Sequence, residues 1–234
     1  VASEQLASLD APTVGDGPLV SIVCAVHSRP DLVDRAIAEV AAQTYDRWEL
    51  LLVDDGAPNV GEADVARWRS APGVTLLRSD HRGVSAARNL ALAAATGEIV
   101  AYLDVDNDSH PTYLARVVDP PTRRADAGST VAAQLVVRPG ATPAVRDDRL
   151  GAAALARQNF IDINALAHRR ALLDVVGGFD EERARLGDWD LILRLMAVAG
   201  EPVRLPAIGS VYDDSPDPHR ISRSIPLHPH LAVI

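Results

Sequence analysis

Within residues 19–103, short apolar runs alternate with segments of helical spacing, and no other feature limits the possible folds so tightly. The runs cover 19–26, 48–53, 74–77 and 98–103, lengths that suit strands. Pro30 suits the first turn of a helix ending near Gln43, with Leu32, Val33, Ala36, Ile37 and Val40 at helical spacing. A second helix is expected over 61–69 and a third over 83–95, stopped by Gly97. This repetition predicts an α/β fold whose strands run parallel and are joined by right-handed crossovers.

The run Ile99-Val100-Ala101-Tyr102-Leu103 reads as a buried central strand, and it ends in Asp104-Val105-Asp106. Side chains two apart in an extended chain share a side, so two carboxylates project together just past the strand. Open α/β sheets bind ligands there. Two hard oxygen ligands suit Mg²⁺ or Mn²⁺ shared with a diphosphate; a solvated acidic turn would read the same way. The second strand also ends in carboxylates, Asp54-Asp55-Gly56. A carboxylate there can accept from a nucleobase N–H or a ribose hydroxyl, or the pair can simply make a turn.

The second half is less regular. A short helix is expected over 113–118, a loop from Pro120-Pro121 to Ala127, a strand over 129–137 and a Pro- and charge-rich connection over 138–150. Then come a strand over 160–167, a helix over 169–176, a break at Gly177-Gly178, a helix over 187–199 with Leu191, Leu195 and Val198 inward, and a strand over 204–212. The expected organisation is a loose arm (1–17), two halves of one domain (18–108 and 109–213) and a tail (214–234).

The net charge of −9 argues against a general nucleic-acid binder, which carries a basic footprint. The basic residues are all Arg, whose planar fork suits phosphate. One cysteine, Cys24, allows no intrachain disulfide, which fits a reducing, cytoplasmic setting. The start lacks a basic-then-apolar signal pattern, and no stretch is apolar enough for long enough to span a bilayer; peripheral membrane contact stays open.

Six segments in order over residues 18–223 resemble the family 2 glycosyltransferases of the GT-A fold. They are Val20-Ser21-Ile22-Val23 leading to Arg29, Leu52-Val53-Asp54-Asp55-Gly56, Gly83-Val84-Ser85-Ala86-Ala87-Arg88-Asn89, the run from Gly97 to Asp106, Gly177-Gly178-Phe179-Asp180-Glu181, and Asp188-Trp189-Asp190-Leu191. The resemblance implies a Rossmann-like GT-A domain with a mostly parallel central sheet flanked by helices. It also implies a metal-dependent, inverting transfer of a sugar from a nucleotide-diphosphate sugar to an acceptor hydroxyl on a small molecule, a glycan or a lipid-linked group. By resemblance, Ala25, His27, Arg29, Asp54, Asp55, Arg88 and Asp104 belong to the nucleotide side. Asp106 is the metal ligand, for Mn²⁺ or Mg²⁺, with His219 as a further candidate. Asp188 is the general base, and Asp162, Asn164 and Trp189 face the acceptor.

Each residue also has a plainer reading. Arg88 can pair with an acidic residue from a neighbouring strand end, and His27 can merely fill its strand end. Asp162 and Asn164 can face solvent, Trp189 can be core, and Asp188 can cap its helix. Gly187 stands where relatives carry Glu, and Asn107 where many carry a third acid. These departures keep a second class in view, a degenerate GT-A module that binds without transferring. A dehydrogenase needs a Gly-x-Gly-x-x-Gly turn after the first strand, where this chain has Val26-His27-Ser28-Arg29-Pro30. A sugar nucleotidyltransferase would show a Gly-rich basic loop in that place, and a P-loop requires the Lys this chain lacks.

Overall fold

The computed structural model describes residues 17–123, 127–147, 151–183 and 185–215. The arm up to residue 16, part of the expected 120–127 loop and 138–150 connection, and the tail from residue 216 with His219 lie outside the described residues. Nine strands form one sheet among the described residues. The first half supplies β1 (Val20–Val26), β2 (Trp48–Asp55), β3 (Val74–Ser79) and β4 (Ile99–Tyr102). The second supplies β5 (Asn107–Ser109), β6 (Ser129–Val137), β7 (Ala144–Arg146), β8 (Leu166–Arg169) and β9 (Val203–Asp213). The helices are α1 (Val33–Ala41), α2 (Glu62–Ser70), α3 (Val84–Ala94), α4 (Tyr113–Arg123), α5 (Ala152–Leu155), α6 (Leu173–Val176) and α7 (Gly187–Ala199).

The strand order is β3-β2-β1-β4-β8-β6-β9-β5, with β7 on β6. The first four strands are parallel, β6 and β9 are parallel, and the remaining pairings are antiparallel and short, so most of the ladder is parallel. Strand direction and side-chain alternation explain the apolar runs. Ile22, Cys24, Leu50, Leu52, Ile99 and Ala101 pack on one face, with Val33, Ala36, Val40 and Trp68. Val23, Leu51, Val53, Val100 and Tyr102 pack on the other, with Ala87, Ala91, Leu191 and Leu195. Both faces are covered, so β1, β2 and β4 read as nearly continuous apolar runs. Buried Cys24 has its thiol pushed above the ordinary range by that burial.

Several expected elements differ. The strand expected over 160–167 is only Leu166–Arg169, preceded by a 3₁₀ turn at Ile163–Ala165. Its Asp-x-Asn alternation imitates a strand, but the Asp162 carboxylate accepts the Asn164 N–H at 2.9 Å and folds the chain over. The helix α4 continues past Pro120 and Pro121, because Tyr113, Leu114, Val117 and Val118 already fix it to the core. Val198 is 50% exposed, and Ile192 takes its place in the buried stripe of α7. The helix expected over 30–43 begins as a 3₁₀ turn at Pro30–Leu32, and that expected over 169–176 begins as one at Arg170–Leu172. The short strands β5 and β7 and the helix α5 carry no pattern long enough to read.

His168 lies at the join between the parallel and antiparallel parts. Its Nδ1 is 3.0 Å from the Arg169 carbonyl and its Nε2 2.8 Å from the Tyr102 hydroxyl. A carbonyl only accepts, so Nδ1 carries the proton and Tyr102 donates to Nε2. This arrangement needs a neutral ring, and burial pushes the His168 pKa down to about 4. A histidine in the unfolded chain titrates near about 6.5. Stability is therefore full above that value and is lost as pH falls towards the folded pKa, by about 3 kcal/mol in total. Thermal melts between these pH values should show Tm falling with acidification, and His168→Gln should flatten the fall.

Candidate active site

In the order β3-β2-β1-β4, β1 is central: the crossovers from it to β2 and from β3 to β4 pass on opposite faces, and the carboxyl ends of β1 and β4 open a crevice. The main cavity, about 560 Å³, lies there. Its walls are Ala25 to Arg29 at and beyond the end of β1, Asp55 at the end of β2, His81 to Ser85, Ala87 and Arg88 leading into and along α3, and Asp104 to Asn107 after β4. Asp162, Glu181 to Arg183 and Tyr212 close it from the second half.

The two carboxylates that end β2 part company, because adjacent residues in a strand face opposite sides. Asp54 is buried, accepts from Ala57 N at 2.8 Å and Arg78 Nε at 3.0 Å, and does not line the cavity. It ties off its own turn, which takes it out of the expected nucleotide set. Asp55 lines the cavity and accepts from the Ser79 hydroxyl at 2.5 Å, Arg82 N at 2.8 Å and Gly83 N at 2.9 Å. Burial works to raise its pKa, but these donors outweigh it and the net shift is downward. Asp55 thus holds the loop in front of α3. The His27 ring, 2.9 Å from the Asp55 carbonyl, stacks on His81 with centroids 3.8 Å apart. One face of His27 is therefore covered, and a ligand entering the cleft meets His81, which sequence reasoning passed over.

Arg88 is buried in α3 and pairs with Asp104 at 2.7 Å. Arg88 thus makes the ion pair of its plainer reading, and the paired guanidinium also lines the cavity. Asn164 clamps the other side of Asp104. Its Oδ1 accepts Asp104 N–H at 2.6 Å, and its Nδ2 donates to Asp104 at 3.1 Å and to Asp162 at 2.7 Å. Asn164 is therefore a buried clamp and not an acceptor-facing group, while Asp162 does line the cleft. Asp106 lines the same wall, and Asp108 turns away to pair with Arg35 at 2.8 Å.

A second chamber of about 300 Å³ shares Val84, Ser85, Arg88, Asp104, Asp162 and Arg183 with the first, and holds Asp188 and Asn159. Leu186, in a left-handed conformation, is the N-cap of α7, and the helix has no side-chain cap, so capping does not claim Asp188. Burial raises the Asp188 pKa, opposed chiefly by the charge of Arg88. Asn159 Nδ2 lies 3.4 Å from its carboxylate. Gly187 is buried against Ser85, where an added Cβ would sit 3.0 Å from Oγ, so a Glu here would require the neighbour to shift. Trp189 is core: it is 4% exposed and its Nε1 donates to the Leu155 carbonyl at 2.7 Å, which removes it from the acceptor side. Asp190 is engaged by Arg194 at 2.8 Å.

The Gly-Gly-Phe-Asp-Glu segment reaches the cleft through Asn89. That side chain accepts from Phe179 N at 2.7 Å and donates to Phe179 O at 2.8 Å and to Glu181 at 2.9 Å. Gly178 is required by this contact, because a Cβ would overlap the Asn89 oxygen. Arg82 pairs with Glu181 at 2.9 Å across the cleft.

Among the described residues no three His, Cys, Asp or Glu side chains come together as a metal site. The donor set still fits a Mg²⁺-like ion, which takes one or two carboxylates and completes its shell with water and substrate phosphates. Asp106, with Asp104 beside it, would hold the ion.

This strand order, with its crevice at the β1/β4 switch, is the Rossmann-like GT-A fold. Solved structures of S. aureus TarS 1–349 share it. The complex with UDP-GlcNAc has a TM-score of 0.66 at 16% identity, over 87% of this chain and 60% of that one. A second TarS 1–349 structure gives 0.64 at 17% identity, over 83% and 60%. The chain belongs to glycosyltransferase family 2, whose model, Glycosyl transferase family 2, matches residues 21–163. It is 32% identical to the uncharacterized protein y4gI of Sinorhizobium fredii over 76% of this chain and 20% of that protein. It is 34% identical to the succinoglycan biosynthesis protein ExoO of Rhizobium meliloti over 51% of this chain and 33% of that protein. It is 25% identical to the putative colanic acid biosynthesis glycosyl transferase WcaA of Escherichia coli K12 over 80% and 69%. The chain thus spans only a fifth to a third of the length of the first two of these relatives. No helix among the described residues is long and apolar enough to cross a membrane.

The raised pKa of Asp188 means that folding favours its neutral form relative to the unfolded chain. Its contribution to stability is present below the unfolded carboxylate value and lost as pH rises through the folded one. Asp188→Asn should therefore match or exceed the parent Tm at pH 7, and the gap should close as pH falls below about 4.

Proposed function

We propose that the chain transfers a sugar from a nucleotide-diphosphate sugar to an acceptor hydroxyl with inversion at the anomeric carbon. The observation that carries this reading is the pair of adjoining chambers, one at the switch point and one at Asp188, divided by a shared wall of Arg88, Asp104 and Asp162. The larger is within the usual range for a small-molecule site. TarS is a structural neighbour solved with UDP and with UDP-GlcNAc, which supports a donor of that class.

In this reading His81 and the Asp55-held loop face the nucleoside, and Asp104 faces its ribose. The remaining N–H groups at the start of α3 point their dipole at the diphosphate. Asp106 would hold Mg²⁺ or Mn²⁺, which offsets charge on the departing diphosphate when bound. Asp188 takes the acceptor proton as the hydroxyl oxygen attacks. Its raised pKa brings the base nearer to neutral operating pH, where general-base transfer is most effective. The charge of Arg88 opposes that rise.

Calorimetric titration of UDP, GDP and dTDP, with and without Mn²⁺, tests the donor site. One nucleotide should bind in a metal-dependent manner, and Asp106→Ala should lose that dependence; absence of binding by all three would overturn the reading in favour of a module that does not transfer. Asp188→Asn should lower the transfer rate by about 10²–10⁴-fold while leaving nucleotide affinity unchanged. Transfer near the parent rate would remove Asp188 as the base.

A further inference from the structure

We propose that Arg35, on α1 and outside the cleft, is a positioning residue for the metal-binding turn: it grips the chain on both sides of Asp106 and so aims that carboxylate; this rests on the metal-assisted reading above. Arg35 Nη2 donates to the Val105 carbonyl at 3.0 Å, and Nη1 pairs with the Asp108 carboxylate at 2.8 Å. One planar fork thus holds the peptide bond that leads into Asp106 and the side chain two residues beyond it. Asp106 lines the main cavity, whereas Arg35 and Asp108 do not. Arg35 therefore acts on the turn from behind, without touching what the cleft holds.

The grip belongs to a polar row. Arg35 and Glu39 are one turn apart on α1, and Gln43 follows just past its end, so the three face one segment of chain. Arg35 Nε is 3.6 Å from Glu39, Glu39 accepts from Ser109 N at 3.2 Å, and Gln43 donates to the His110 carbonyl at 2.9 Å and accepts from Leu114 N at 3.1 Å. Of these three, Arg35 is the one that reaches the acidic turn. The turn is closed on itself by Asn107 N, which donates to the Asp104 carbonyl at 3.0 Å, and is continued by the pairing of Asn107 with Tyr212 in the β5–β9 ladder. Arg35 also occupies Asp108, the next carboxylate along the chain, which keeps Asp106 as the acid of the pair that faces the cleft. The Arg35 and Asp108 side chains are 44% and 50% exposed, so their pair adds little to folding; its effect is on geometry. Partners that orient a metal ligand govern affinity although they do not touch the metal. A guanidinium near a cation site also repels the cation, so loss of its charge alone would tighten metal binding. Loss of the grip does the reverse, and the sign separates the two.

The test is Mn²⁺ binding, followed by electron paramagnetic resonance of the free ion, on the parent, Arg35→Gln and Arg35→Lys, at saturating concentration of whichever of UDP, GDP and dTDP the parent binds. Arg35→Gln should weaken Mn²⁺ binding by roughly tenfold, the lower end of the cost of losing a partner that orients a ligand. Its affinity for the nucleotide without metal should equal the parent's. Arg35→Lys keeps the charge but not the two-armed fork, so it should also bind Mn²⁺ more weakly than the parent. Equal or tighter Mn²⁺ binding by Arg35→Gln overturns the proposal and leaves the function reading standing, whatever happens to the Tm. Full Mn²⁺ affinity in Arg35→Lys overturns the two-armed grip. An equal loss of nucleotide affinity with and without metal also overturns the proposal, since the damage is then to the cleft as a whole. A parent that binds none of the three nucleotides, or takes up no Mn²⁺ with the one it binds, overturns the metal-assisted reading itself.

Discussion

The Arg88–Asp104 pair organises this site. It joins the helix α3 to the end of β4 at the point where the sheet opens, and both partners line both chambers. Breaking one half of a buried pair costs about 3–5 kcal/mol, because the surviving charge is left without compensation. Here the geometry meets that requirement. Asn164 donates to the other Asp104 carboxylate oxygen, and Arg88 lies 5.3 Å from the Phe179 ring centroid, which brings the Gly-Gly-Phe segment into the same cluster. Four stretches far apart in sequence thus meet at one guanidinium–carboxylate contact, and the position of each chamber follows from it.

A polar centre of this kind explains what was legible in the sequence. The parallel half was readable because its strands are apolar on both faces and its helices keep strict spacing; Ile99 to Asp106 displays both the buried strand and its acidic end. Asp54 and Asp55 were indistinguishable as letters. Their fates depend on pleat direction and on which of them meets the N–H groups of Arg82 and Gly83. Asn164 looked like a strand residue facing a cleft, because the Asx turn that pulls it inward imitates the alternation of a strand. Trp189 carries no sign of its partner, the Leu155 carbonyl, which lies in a helix too short to show a period. His81 had no motif at all; its place follows from stacking on a residue that ends a different strand.

The second half is tied to the first by hydrogen bonds to backbone, which sequence patterns do not display. Asn89 fixes Phe179 through both backbone groups, and Arg194 fixes the carbonyls of Val176 and Gly178. The glycine at 178 is then a matter of clearance from Asn89 and not of turn geometry. Such contacts hold the cleft wall formed by Glu181 to Arg183, which lies between the main cavity and the chamber at Asp188.

Gly187 gains meaning in this setting. A Glu at that position would place two adjacent carboxylates at the start of the helix, and like charges in a shielded site push one pKa upward. Here that neighbour is absent and the space is closed by Ser85. The raised pKa of Asp188 comes instead from burial, with Arg88 holding it in check. Burial and one guanidinium are the largest influences on this carboxylate, with smaller upward contributions from Asp162 and Asp104. The same guanidinium anchors Asp104, so a change at Arg88 acts on the Asp188 carboxylate and on the wall of the main cavity together.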